Sequence, residues 1–112
     1  MINQDITTLK EHFKSNEAVC NKVIGTFSLI SNKIRFRILC LLTRGDFCVN
    51  EIIDIIDCGK LSNVSQQLKL LALSGILEKR RDEKKVIYHL KDQAIKDLIQ
   101  YLETIYLQEE EI

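Results

Sequence analysis

Apolar side chains recur along this chain with two different periods, and the change from one to the other divides it. From Glu17, the positions Val19, Val23, Phe27 and Ile30 follow at steps of four, four and three, the spacing of one helix face. Ser31 and Asn32 offer side-chain oxygens for a second helix, whose Ile34, Ile38, Leu41 and Leu42 repeat the stripe as far as Gly45. Cys48-Val-Asn-Glu51 stands where a capping box would, with a thiol in place of the usual hydroxyl, and Asn50 is the other candidate cap. Ile52, Ile53, Ile55 and Ile56 predict the buried face of a third helix that Gly59 ends. Ser62 is placed to cap a fourth, with Val64, Leu68 and Leu71 facing inward and Gly75 beyond its end.

Past Gly75 the period becomes two. Leu77, Lys79 and Arg81 alternate with Ile76, Glu78 and Arg80, and Val86, Tyr88 and Leu90 alternate with Ile87 and His89, the pattern of a hairpin. Its tip, Asp82-Glu83-Lys84, lacks glycine, so a loop of roughly three to five residues is expected. Asp92 is a cap for a last helix carrying Ile95, Leu98, Ile99, Leu102 and Ile105. Residues 1–16 are polar with scattered Ile6, Leu9 and Phe13 and read as an arm or short helix, 17–107 as one domain, and 108–112 as an acidic tail. The order α-α-α-α-β-β-α, mainly helical with a small β-hairpin wing, is that of a winged helix-turn-helix.

Composition adds one constraint. Sixteen Lys and Arg balance sixteen Asp and Glu, so affinity for nucleic acid has to come from clustered charge. Lys79, Arg80, Arg81, Lys84 and Lys85 against Asp82 and Glu83 supply such a cluster. No cleavable leader pattern and no bilayer-length apolar run stands in the chain, so a cytoplasmic protein without membrane contact is expected, with Cys20, Cys40, Cys48 and Cys58 as thiols. No glycine-rich phosphate loop is present, and neither His12 nor His89 stands where it would serve a cysteine nucleophile, so no enzymatic activity is expected.

Ser62-Asn-Val-Ser-Gln-Gln-Leu-Lys-Leu-Leu71, Ser74-Gly-Ile-Leu77 and Val86-Ile-Tyr-His-Leu90 together resemble the ArsR/SmtB family of bacterial winged-helix repressors over about residues 25 to 107. The resemblance implies a homodimer, built from the first and last helices, bound to an inverted-repeat operator in promoter DNA. Val19, Val23 and Phe27 with Leu98, Leu102 and Ile105 agree, being more apolar surface than one small domain hides. Ser62, Asn63, Ser65, Gln66 and Lys69 are the candidates for reading DNA, since hydroxyls and amides contact phosphates and base edges. Arg81, Lys84 and Lys85 are the candidates for gripping the backbone without regard to sequence. The alternative use of the same fold is a protein-interaction module that binds no DNA.

Metal-binding members carry a Cys-Val-Cys pair where this chain has Cys48-Val-Asn50, and the family's other site needs a histidine on the last helix, where none stands. No standard metal site and no cofactor is therefore expected, with a non-standard metal-responsive site from Cys20, Cys48 or His12 left open. Arg37-Ile-Leu-Cys-Leu-Leu42 and Leu102-Glu-Thr-Ile-Tyr106 resemble the thiol-sensing subgroup of HlyU-like and sulfide-responsive regulators, in which a second cysteine follows the tyrosine. Here that position is Leu107. Candidate sensors are thus Cys40, with Cys20 as the substitute partner, and Cys48, whose place at a helix start favours a thiolate. Cys40 also reads as ordinary core filler, the favoured reading, and Cys48 as a poor cap.

Overall fold

The computed structural model describes residues 5–110, with side chains as far as Tyr106; of the acidic tail expected at 108–112, residues 108–110 continue the last helix, and 111–112 and the Leu107 side chain lie outside the described residues. Six helices and three strands follow in the order α1 (Ile6–Ser15), α2 (Glu17–Ile30), α3 (Lys33–Leu42), β1 (Phe47–Cys48), α4 (Val49–Ile56), α5 (Leu61–Leu73), β2 (Leu77–Asp82), β3 (Lys85–Leu90) and α6 (Gln93–Glu110). None of the described helices is long and apolar enough to cross a membrane.

The core lies where α3, α4, α5 and α6 meet the sheet. Ile38, Leu39, Ile52, Leu68, Leu71 and Ile99 are fully buried there, and Tyr88 and Leu90 close it from β3. Asn32 caps α3 by accepting the Arg35 N–H, and Asp92 caps α6 by accepting the Ile95 N–H, both as the sequence predicts. Elsewhere the ends differ. Cys48 is the N-cap of α4, and it is Glu51 that completes the cap, its carboxylate accepting the Cys48 N–H at 2.9 Å; Asn50 lies inside the helix. The helix closes on Asp57, which takes the left-handed conformation, rather than on Gly59. Gly59 instead permits the turn into α5: its φ is +85°, and a Cβ there would stand 2.7 Å from Ile34 Cδ1. Ser62 does not cap α5, whose N-cap is Lys60. The α5 terminus is a Schellman motif, with Gly75 N–H donating to Ala72 and Ile76 N–H to Leu71. On α4, Ile55 faces solvent, so the expected four-isoleucine buried face is narrower than the sequence suggests.

The sheet has the order β1-β3-β2, all antiparallel. β1 was not anticipated, because two residues before a helix carry no alternation to read. The hairpin is tighter than expected: Asp82 pairs with Lys85, leaving only Glu83 and Lys84 in the turn. Glu83 supplies the positive φ, 56°, that glycine usually provides.

The molecule is elongated, 59 × 39 × 22 Å with a radius of gyration of 17.9 Å, against about 13 Å for a compact domain of this length. The cause is the α1–α2 arm. α1 buries no residue and packs chiefly on α2, and α2 is anchored through its last turn, where Ile30 alone is buried.

Candidate nucleic-acid interface

Helix α5 is held from behind. Val64, Leu68 and Leu71 are fully buried at i, i+4 and i+7, which fixes the opposite face outward. Ser62, Gln66 and Lys69 form an exposed row on that face, continued by Leu73, and Asn63 flanks it. Of the five residues picked from the sequence on this helix, Ser65 alone is half-buried. Because the N-cap, Lys60, makes no side-chain cap hydrogen bond, the first-turn amides around Ser62 remain open to an anion such as phosphate.

Two residues of this region escaped the sequence reading. Gln67 donates through Nε2 to Asn63 Oδ1 at 3.2 Å, and its Oε1 accepts from Arg35 Nη1 at 2.6 Å. The i, i+4 spacing of Asn63 and Gln67 was a usable signal. The Arg35 contact, 32 residues away in sequence, was not.

The wing brings Arg81, Lys84 and Lys85 to the tip of the hairpin, all exposed. Among the described residues none of the three is in an ion pair. Arg80 belongs to a different group. Its Nη1 donates to Asp46 Oδ2 at 2.9 Å, and Asp46 Oδ1 lies 2.8 Å from His89 Nδ1. His89 and then Arg80 hold the Asp46 carboxyl below its usual range. His89 is thus part of a clasp between the loop before β1 and the base of the wing. That clasp removes Arg80 from the free cationic cluster.

The proposed dimer residues separate in the same way. Val19, Val23 and Phe27 are exposed on α2, together with Ile24, and Ile6 and Phe13 extend the apolar surface along α1. On α6, Leu98 packs against the protomer's own core and Leu102 is half-buried, while Ile105, Tyr101 and Tyr106 are exposed.

All four cysteines are free thiols. Cys40 lies half-buried on α3, and its pKa is pushed up to about 12 by burial first and then by the adjacent Glu103 carboxylate. Glu103 reaches from α6 to accept Arg44 Nη2 at 2.9 Å, and Arg44 Nη1 donates back to the Cys40 carbonyl at 2.8 Å. Cys48 is buried as the α4 cap, Cys58 is half-buried, and Cys20 is exposed on α2, sharing a shallow notch with His12 and Phe13. Among the described residues no three His, Cys, Asp or Glu side chains converge as metal ligands, so Cys48 does not join Cys20 and His12.

Set against known proteins, residues 32–79 match the model of the arsR family of bacterial regulatory proteins. The matched stretch runs from the α3 cap through α5 into β2. The biofilm growth-associated repressor of Xylella fastidiosa (strain 9a5c) is 31% identical, over 98% of this chain and 97% of its own. The crystal structure of the transcriptional repressor BigR from Xylella fastidiosa aligns with a TM-score of 0.74 at 32% identity, covering 87% of this chain and 95% of that one. Reduced HlyU from Vibrio cholerae N16961 aligns with a TM-score of 0.77 at 26% identity, covering 83% and 97%.

Proposed function

The chain belongs to the arsR family of bacterial regulatory proteins, and from that premise we propose that it is a homodimeric repressor that binds an inverted-repeat operator and blocks the promoter beneath it. The observation that carries this reading is the two-sidedness of α5. Its apolar face is sealed into the core, its polar row is exposed, and an unpaired cationic turn stands on the same winged unit. A rigid backing of this kind presents Ser62, Gln66 and Lys69 to a major groove from a helix whose position is fixed by the core. Arg81, Lys84 and Lys85 then release counterions from the flanking phosphates, giving sequence-independent affinity.

The exposed α2 face, with Val19, Val23 and Phe27, and the Ile105 end of α6 support pairing with a second copy. Two-fold pairing sets two recognition helices about 34 Å apart, one turn of duplex. Fluorescence anisotropy with DNA from upstream of the gene itself, against a scrambled duplex over a salt series, tests the reading. Salt-sensitive preference for the natural sequence by a dimer is expected. Equal affinity for both duplexes defeats the operator, and capture of a protein partner that survives high salt favours an interaction module instead.

For thiol responsiveness we propose Cys20 rather than Cys40. A thiol pushed up to about 12 is almost wholly protonated near neutrality, and the protonated form is a poor nucleophile. Cys20 is exposed on the helix that carries the proposed dimer face, where an added sulfur substituent would disturb pairing. Operator affinity after treatment with an organic polysulfide should change for the parent protein and for Cys40→Ser, and not for Cys20→Ser. Unchanged affinity in all three removes thiol sensing.

A further inference from the structure

One polar chain ties α5 to the rest of the protomer, and its polarity is forced. Arg35 of α3 donates through Nε to the Leu29 carbonyl and through Nη2 to the Ser28 carbonyl, both at the end of α2. Its Nη1 donates to Gln67 Oε1, and Gln67 Nε2 donates to Asn63 Oδ1. An amide pair standing alone could run in either direction, since each side chain has both a donor and an acceptor end. A guanidinium has donors only. Gln67 must therefore meet Arg35 with its oxygen, which turns its amino group toward Asn63, and Asn63 must answer with its oxygen. With its oxygen turned toward Gln67, Asn63 offers a ligand on that exposed side chiefly its amino group.

We propose that Arg35 and Gln67 are positioning residues that fix Asn63 as a hydrogen-bond donor toward DNA, so that it selects a guanine. Guanine is the base with two acceptors in the major groove, N7 and O6. An unconstrained asparagine pairs bidentately with adenine, offering donor and acceptor together. Asn63 has its acceptor turned toward Gln67 and loses that option. Gln66, which has no side-chain hydrogen bond among those found in the described residues, keeps both groups and remains free for adenine. Since Arg35 also holds the carboxyl end of α2, the chain couples the reading amide to the helix proposed for dimer pairing. The inference rests on α5 being the helix that enters the groove.

The test uses the full-length protein and a randomised double-stranded DNA library, followed by affinities for every single-base-pair variant of the selected site. The parent protein should prefer guanine at one position of each half-site by about tenfold, and Asn63→Ala should abolish that preference there alone. Gln67→Glu is the sharper variant. A carboxylate still accepts from Arg35 but has no proton to give, so Asn63 must donate to it and turn its oxygen outward. The preferred base at that position should then become cytosine, whose N4 amino group donates, with all other positions unchanged.

Asn63→Asp, at an exposed position with little effect on folding, presents only oxygen and should give the same change by a separate route. If Gln67→Glu melts early, Gln67→Ala decides: with no amino group holding its oxygen, Asn63 offers donor and acceptor together and the preference should pass to adenine. Base preferences unchanged in the well-folded variants, or adenine preferred by the parent protein at that position, overturn the relay and leave DNA reading intact. A parent protein that selects no sequence overturns both.

Discussion

Helices α2 and α5 are nearly the same length, 14 and 13 residues, and both carry an apolar stripe at helical spacing, yet they end in opposite environments. On α5 the stripe is sealed: Val64 and Leu68 show 0% exposure. On α2 it is open, with Val19 at 59% and Phe27 at 52%. The outward row of α5 through Ser62, Gln66 and Lys69 is polar, with Leu61, Leu70 and Leu73 exposed beside it, whereas the outward stripe of α2 is apolar. A stripe in the sequence thus says that a face will seek burial, without saying in which molecule. Where the protomer supplies the cover, the opposite face is free for solvent and DNA; where it does not, the stripe itself becomes the working surface.

Truncation should separate the two most strongly. Leu68→Ala removes a fully buried side chain and should cost about 2–5 kcal/mol of stability, read by urea unfolding at fixed protein concentration. Phe27→Ala, on the open stripe, should leave the unfolding of dilute monomer nearly unchanged. Equal losses in both would mean that α2 is covered within the protomer.

Next in size is the pairing of copies. Val23→Asp places a charge in the exposed α2 stripe and should raise the dimer dissociation constant at least about thirtyfold, measured by analytical ultracentrifugation. Operator binding should weaken in parallel, with the α5 fold intact by circular dichroism. A dimer as tight as the parent would move the interface elsewhere.

On the α5 side the expected effects are smaller and of two kinds. Lys84→Ala should weaken binding to all sequences alike and reduce the slope of log affinity against log salt by about one. Gln66→Ala should relax preference at a single base pair and keep the slope. A sequence-dependent effect of Lys84→Ala would bring the wing into base reading.

The smallest effect concerns the clasp that fixes the wing to the loop before β1. Asp46 has a depressed carboxyl pKa, through His89 first and Arg80 second. A depressed carboxylate contributes stability above its unfolded value, about 3.9, and that contribution is lost as the pH falls through the lower folded value. Asp46→Asn should therefore lower the neutral plateau of thermal stability slightly and flatten the acid limb, the two proteins converging at low pH. An unaltered acid limb would show that the clasp contributes nothing to folding.

Local chemistry made much of this protein legible in the chain. Period-3.6 stripes located α2 to α6, period-two alternation located β2 and β3, and Asn32 and Asp92 announced their helices because a cap is formed by residues three apart. The reading residues Ser62, Gln66 and Lys69 followed from the same periodicity, since Val64, Leu68 and Leu71 fix which face is left outside. Tertiary structure decided whatever depends on residues distant in sequence. Arg35 reaches Gln67, Asp46 reaches His89 and Arg80, and Glu103 reaches Arg44 and the Cys40 thiol. β1 exists only because β3 offers it hydrogen-bonding partners. The hairpin turn is two residues long because the strand register carries Asp82 to Lys85. A helical or extended pattern is a property of neighbours within one turn, and a single chain records it completely. The direction of an amide, the free or paired state of an arginine and the protonation of a thiol depend on what the fold brings alongside, and only the folded molecule specifies that.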